Sequence, residues 1–429
     1  MSNKLRTRIL LGAMMFFQYA AWGAWAPVLG ATLGSPDGIF KASGGAIGAI
    51  FGVLWLACIV VPFIGGQLVD RKVPGQLFLG VAAAICAVSA YMMSTQTQVG
   101  SMIAGLIPFS GLGLWLVVWS IAFAPTIGIS NSLVLHHLGN EEGSTEPERE
   151  RVFSIIRTMG TIGWVLVAFA VMWAKQNLKD IPVSEMTVSA GAGVLWAVCS
   201  FLVPHTPPNK ESPNPWAFLK AFELFKKVPG FTWFILISVI ASAEFQFFYT
   251  LSGQFLVSLG VPEAQIAPYK ATSQIAEVIS LAFLLPIFLR KFGMRTALVV
   301  GTLAWSLRYF IFATQNFYPV VLSLSLHGIG FAFVFVTSYF YIDRVAPKDI
   351  RASAQSMFTL ITLGVGNYLG SVLSGKLQDG FTTQVNGAGV VNWPMIFIVP
   401  AVLTFVSAIG FLITFKEPKS DDGNIKLAH

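Results

Sequence analysis

The sequence predicts an all-α membrane protein: twelve transmembrane helices in two pseudo-symmetric six-helix bundles. Three observations carry that expectation. The 429 residues are 55% hydrophobic and only 11% charged, with mean hydropathy +0.70; a soluble domain is about 25% charged. Apolar runs long enough to cross a bilayer recur along the whole chain. Lys and Arg gather in alternate connections between those runs, which is a topology signal.

A span needs roughly 20 mostly apolar residues. Twelve runs qualify: 9–32, 44–64, 75–94, 101–135, 152–174, 187–204, 229–258, 266–289, 295–315, 318–342, 351–376 and 393–415. The first follows the basic flank Lys4, Arg6 and Arg8. It lacks a convincing small-x-small cleavage site, so it reads as a helix and not a leader. The fourth and seventh runs are long, which predicts tilt or protrusion into water. Between the sixth and seventh lies HTPPNKESPNPWAFLKAFELFKKV, Pro-rich and then amphipathic and basic. It reads as a tether, and its second part, Trp216 to Lys227, could lie on the membrane surface as a short helix.

The expected domains are an N-terminal bundle (1–204), a cytoplasmic linker (205–228), a C-terminal bundle (229–417) and a cytoplasmic tail (418–429). The halves echo each other. Pro62 and Pro286 each stand near the end of the second span of their half, and RVFSIIRTMGTIG opens the fifth span as IRASAQSMFTLITLGVG opens the eleventh. Such internal symmetry is what a duplicated transporter predicts, with substrate handled near the bilayer midplane.

With the N-terminus inside, 20 of the 27 Lys and Arg fall in cytoplasmic segments and five in outside segments: Lys41, Lys175, Lys179, Lys270 and Lys376. That bias places both termini in the cytoplasm. The net charge of +7 is thereby explained without nucleic acid. Cys58, Cys86 and Cys199 all lie inside apolar runs, which argues against a disulfide framework. No HExxH, GxSxG or clustered Cys/His pattern is present, so no enzyme, cofactor or metal is expected.

The remaining two basic residues, Arg157 and Arg308, fall within spans together with Glu244 and Glu277. One charge at mid-bilayer costs about 3 kcal/mol on insertion scales, so such groups pair or line a wet pathway. Arg157, Thr161 and Trp164 are spaced four and three, one helical stripe. A cation, a hydroxyl and an indole on one face suit a polar aromatic ligand, although an Arg this near the cytoplasmic end can also snorkel. Gln246 and Tyr249 share a face of the seventh span, whereas Glu244 points some 200° away from Gln246. Glu244 is therefore assigned to an ion pair with Arg308, and Gln246 and Tyr249 to the cavity. Gln274 and Glu277 share a face of the eighth span. A carboxylate offers two acceptor oxygens, a match for a vicinal diol, and a buried one can also carry a proton; a structural pair with an Arg is the alternative for Glu277. In the tenth span His327 and Phe331 lie four apart on one face; His327 could relay protons or simply fill a hydrogen bond. Trp22 and Trp25 read as packing or interface aromatics.

Between the second and third spans, GGQLVDRK resembles the loop signature of the major facilitator superfamily. The resemblance implies a cytoplasmic gate in which Gly66 permits close packing and Asp70 and Arg71 form a latch. Further segments resemble the bacterial nucleoside:proton symporter family within it: FFQYAAWGAW, PTIGISNS, RTMGTIGW, SAEFQ, SQIAE, WSLRYFIFA and IRASAQSMF, in order along nearly the whole chain. That resemblance implies that Arg157, Thr161 and Trp164 face the base and Gln246 reaches the ligand. It also implies that Gln274 and Glu277 hold the ribose and Phe331 closes the pocket.

Two departures stand out against the family pattern. Tyr249 replaces an Asn, which bears on base preference. In the tenth span His327 stands where Tyr can occur and Ala332 where Asp can occur. Without that acid, Glu277 or Glu244 would carry the proton, or the chain would be a facilitator.

The expected function is import of nucleosides across the inner membrane by alternating access, coupled to protons. The expected partners are nucleoside, protons and lipid, with no nucleic acid and a monomeric chain. Two alternatives share the scaffold: a sugar or polyol carrier with Trp164 as stacking platform, and a substrate sensor that binds without flux.

Overall fold

A computed structural model describes residues 3–141, 143–208, 217–347, 350–386 and 388–417. The expected tail, 418–429, and residues 209–216 of the linker, with Trp216, lie outside the described residues. The described chain is helical apart from two short hairpins. It forms two compact units: Met1–Ala42, Ala49–Pro213 and Val261–Pro268 in the first, and Ser43–Gly48, Asn214–Gly260 and Tyr269–His429 in the second. Two short segments thus group with the unit of the other half of the sequence.

In chain order the first half gives α1 (Asn3–Gly23), α2 (Leu29–Gly34), α3 (Gly44–Arg71), α4 (Gly75–Ser94), β1 (Met102–Ile103), β2 (Ile107–Pro108), α5 (Gly111–Phe123), α6 (Thr126–Gly139), α7 (Glu146–Asn177) and α8 (Ser184–Leu202). After the linker come α9 (Leu224–Lys227), α10 (Phe231–Ser258), α11 (Ile266–Ile279), α12 (Leu285–Ala313), α13 (Phe317–Ser323), α14 (Ser325–Phe331), α15 (Thr337–Val345), α16 (Arg351–Thr359), α17 (Asn367–Gly380), β3 (Thr382–Val385), β4 (Ala388–Val391) and α18 (Trp393–Thr414).

Among the described residues, ten helical stretches are long and apolar enough to cross a membrane. One of them, Glu263–Ala313, has 51 residues, about 75 Å of helix against a hydrocarbon core of about 30 Å. Its backbone breaks at Gly293, where φ is 77°, a left-handed conformation natural to glycine. The outer faces are apolar at helical spacing: Ile162, Leu166, Phe169 and Trp173 on α7, and Val402, Phe405, Val406, Ile409 and Ile413 on α18 are all exposed. Stripes of that size require an apolar solvent, so this is an integral membrane protein.

Local sequence sets the helix ends. Thr145 accepts a hydrogen bond from the Glu148 N–H at 3.4 Å, and Pro147 follows in the first turn, a favoured start. Asn392 does the same for α18 through the Met395 N–H. The first unit buries Trp25, Trp119, Phe123 and Trp196, joined edge-on and stacked. The second buries Phe231, Phe234, Tyr341, Phe411 and Phe415 around one core.

Several expectations need correction. The fourth apolar run is not helical from residue 101. It opens with the β1–β2 hairpin, turned through positive φ at Ala104 and Gly105; a tight turn of that kind ends the helical option for an apolar run. GGQLVDRK is not a loop, because α3 runs through Arg71. Within it, a Cβ on Gly66 would meet nothing within 4 Å, whereas one on Gly65 would lie 2.5 Å from Pro125 Cβ. Close packing therefore rests on Gly65. The amphipathic end of the linker, a narrow helical turn over Ala217–Glu223 followed by α9, buries Ala221 and Leu224 in the core of the second unit. It is a packed element there and not a free surface helix. Lys270, expected outside, is only 3% exposed within α11.

Candidate functional site

In the first unit, α7 carries Arg157, Thr161 and Trp164 on one stripe. The Arg157 guanidinium lies 4.4 Å from the centroid of the Tyr19 ring on α1, a cation–π contact. The half-buried Arg157 is thus turned onto α1, where it meets a ring that the spacing of α7 could not reveal. Trp164 is 8% exposed and meets Trp22 edge-on at 5.2 Å. Trp22 also touches Trp55 and Phe123. Thr161 is half-buried between Arg157 and Trp164. The stripe offers a cation, a hydroxyl and an aromatic plane from a rigid aromatic floor.

In the second unit, the charges sort into two groups. Arg308 Nη2 lies 2.6 Å from Glu244 Oε1, with both side chains fully enclosed. Tyr309 donates its hydroxyl to the Glu244 backbone carbonyl at 3.0 Å. The guanidinium is wrapped by the rings of Tyr309 and Phe248 at 4.3 and 4.9 Å. Arg308 Nη1 lies 2.5 Å from His327 Nδ1. A guanidinium only donates, so Nδ1 accepts and a neutral ring carries its proton on Nε2. His327 is 1% exposed and stacks on Phe248 and Phe245 at 3.9 and 4.7 Å. This places His327 in the ion-pair network, enclosed by two rings and a guanidinium.

The second group is more open. Tyr249, Gln274, Glu277 and Phe331 are all half-buried. Gln274 Nε2 donates to Tyr249 Oη at 3.5 Å, which links α10 to α11. Glu277 follows on the same face of α11. Phe331 packs against Phe245 and Phe335. Gly328 lets α14 press on α11: a Cβ there would lie 2.1 Å from the Ser273 carbonyl and 2.4 Å from the Glu277 nitrogen. Gln246, expected beside Tyr249, is instead 1% exposed, with Ser371 of α17 donating to its Oε1 at 3.4 Å. Immediately after Glu277 and Phe331 the helices widen to i→i+5 turns, at Ser280–Leu284 and Ala332–Val336. Such turns are frequent at functional sites. Ala332, where an acid was expected, is fully buried at the first of these positions.

At the predicted gate Gly66 and Arg71 lie on the last turns of α3, Arg71 exposed; the Asp70 side chain lies outside the described residues.

Sequence reasoning missed two basic groups by assigning them to loops. Lys175 Nζ lies 2.9 Å from Glu185 and 2.6 Å from Glu263 and donates to Thr32 Oγ1 at 2.8 Å. Glu185 is fully buried. Nothing local in the sequence links these four positions. The second group is Lys270, whose Nζ donates to the Phe248 carbonyl at 3.2 Å. It lies 4.6 and 5.3 Å from the centroids of the Phe248 and Tyr249 rings. One signal was available: Lys270 stands four residues before Gln274 and seven before Glu277, on the same face of one helix.

Comparison with known proteins follows this geometry. Residues 4–420 match the family described as nucleoside H+ symporter. The nucleoside permease NupG of Escherichia coli strain K12 is 27% identical, over 97% of this chain and 96% of its own. The xanthosine permease of the same strain is 27% identical over 95% of each chain. The crystal structure of nucleoside transporter NupG superposes with TM-score 0.80 at 25% identity, covering 97% of this chain and all of that one.

Proposed function

The chain belongs to the nucleoside H+ symporter family, and on that premise we propose how this membrane transporter, which is not an enzyme, moves its cargo. It imports nucleosides across the bacterial inner membrane, driven by protons entering with them. Twelve helices in two six-helix bundles, the major facilitator arrangement, rock about a midplane site so that it opens to one side at a time. Both termini face the cytoplasm, as the distribution of Lys and Arg requires. The bundles span 1–204 and 229–417, and the unit acts as a monomer without nucleic acid.

Each site residue has a role that its chemistry supports. Arg157 and Thr161 hydrogen-bond the edge of the base, and Trp164 stacks on its plane; base–aromatic stacking elsewhere contributes about 1–3 kcal/mol. Tyr249 and Gln274, already bonded to each other, meet the ligand from α10 and α11. Glu277 accepts from the ribose hydroxyls. Phe331 covers the pocket from α14, and Gln246, whose Oε1 accepts from Ser371, reaches the ligand from α10. Gly66, Asp70 and Arg71 serve the cytoplasmic gate, with Gly65 supplying its close packing. A site built for ribose hydroxyls rejects the free nucleobase, because its polar groups are left unpaired.

The observation that carries the reading is the family match over residues 4–420. A sugar carrier and a non-transporting sensor share the scaffold, but the relatives named above are permeases for nucleosides. Purified protein in proteoliposomes decides. With an inward proton gradient, labelled uridine or adenosine should accumulate and a protonophore should abolish the accumulation. Displacement by hexoses but not nucleosides, or binding without any flux, would overturn the proposal.

A further inference from the structure

The second unit holds three basic side chains close together, Arg308, His327 and Lys270, and one enclosed carboxylate, Glu244. Their surroundings assign most of the charge. Glu244 and Arg308 neutralise each other at 2.6 Å. His327 accepts from Arg308 through Nδ1, so while that bond stands the ring cannot take a proton there. Among the described residues of this group, Lys270 has no ion-pair partner. Its contacts are one backbone carbonyl, from Phe248, and the faces of two rings. It is 3% exposed, and among the described residues it forms no ion pair with a carboxylate. Intramembrane ionisable groups of that kind are costly and mark ion pathways.

We infer that Lys270 is the group that carries the coupled proton in this chain, the buried amine behind Tyr249 taking the place of the acid that Ala332 lacks. The inference rests on the symport reading above. The proton step balances simply. On the outward-facing side the neutral amine takes a proton from hydronium, giving ammonium and water. On the inward-facing side the ammonium returns that proton to water. No electron moves and no other group is consumed.

Geometry couples this step to the cargo. The ammonium rests on the Tyr249 ring, whose hydroxyl accepts from Gln274, and Gln274 precedes Glu277 by one helical turn. A ligand that draws Gln274 or Tyr249 toward itself shifts the ring that screens Lys270. The charged and titratable groups that act on this amine are Arg308 from α12, His327 from α14 and Tyr249 from α10; Glu244 of α10 pairs with Arg308, and Glu277 stands seven residues further along α11. Arg308 repels a proton on Lys270. Glu244, already committed to Arg308, offsets that repulsion.

The test uses the full chain in proteoliposomes, with Lys270→Met and Lys270→Arg, reading two quantities in each. The first is accumulation of labelled uridine against its gradient, driven by an inward proton gradient. The second is exchange of labelled for unlabelled uridine at equal pH on both sides, which reports folding and binding without net proton flow. Both variants should keep exchange but stop accumulating once internal label equals external label. Methionine has no proton to carry, and arginine does not release one. If either variant exchanges and still accumulates with proton entry, Lys270 is not the carrier. Loss of exchange together with accumulation in both variants would equally overturn the inference, by making the amine structural. If the wild type exchanges no nucleoside at all, the fault lies in the functional reading instead.

Discussion

Glu244 and Arg308 show how a single side chain in this protein can be worth more than its contact. Removing one partner of an enclosed pair strands the other charge, at a cost of about 3–5 kcal/mol. Glu244→Gln and Arg308→Ala should therefore each lower the thermal unfolding temperature in detergent, and the charge swap should restore part of the loss; silent single variants would show that the pair does not matter. The charges proposed to face the cargo should behave differently. Hydrogen bonds to charged groups contribute roughly 1.5–3 kcal/mol, so Arg157→Ala and Glu277→Gln should cut nucleoside uptake about tenfold or more, with smaller effects on stability. Cys58 is half-buried and unbridged. Cys58→Ser should leave uptake near wild type and serves as a control for substitution within a span.

At the scale of elements, the second unit is shaped by where helices can touch. α14 meets the backbone of α11 at Gly328, beside the Ser273 carbonyl and the Glu277 nitrogen. Overpacking costs about 1–3 kcal/mol, and here the force falls on the turn that holds Glu277. Gly328→Ala should reduce uptake more than it reduces stability, measured on the same purified protein. Gly66→Ala, with nothing within 4 Å of the added carbon, should leave stability unchanged. Gly65→Ala, against Pro125, should not. The wide turns after Glu277 and Phe331 add one residue to a helical turn without ending the helix. That shifts the register of everything that follows, which a constant 3.6-residue period does not anticipate.

At the scale of the molecule, the reading is a carrier that spends a proton gradient on nucleoside accumulation. Labelled uptake should therefore collapse with a protonophore while equal-pH exchange survives, since exchange needs no net proton movement. A protein that accumulates nucleoside regardless of protonophore would use another driving force. The division of charge supports this picture. The exposed stripes over 162–173 of α7 and along α18 carry apolar side chains, while Arg157, Glu244, Glu277 and Arg308 are buried or half-buried. Lipid admits no other placement at acceptable cost.

Much of this was legible from residue order alone. Apolar runs gave the helices, because in lipid a helix satisfies its own backbone and length fixes the crossing. Spacing separated Glu244 from the face of Gln246, because 3.6 residues per turn is a local rule. The family motifs supplied the expected contacts of Arg157, Gln274 and Glu277. Tertiary structure alone decided which side chains meet across helices. Tyr19 beneath Arg157, His327 against Arg308, Gln246 on Ser371 and the Lys175–Glu185–Glu263 cluster all join residues far apart in the chain. Lys270 was placed outside by a count of loop charges, because hydropathy averages over a window and cannot see one amine folded back beneath two rings. Only packing between helices, which depends on where other segments lie, could put it there.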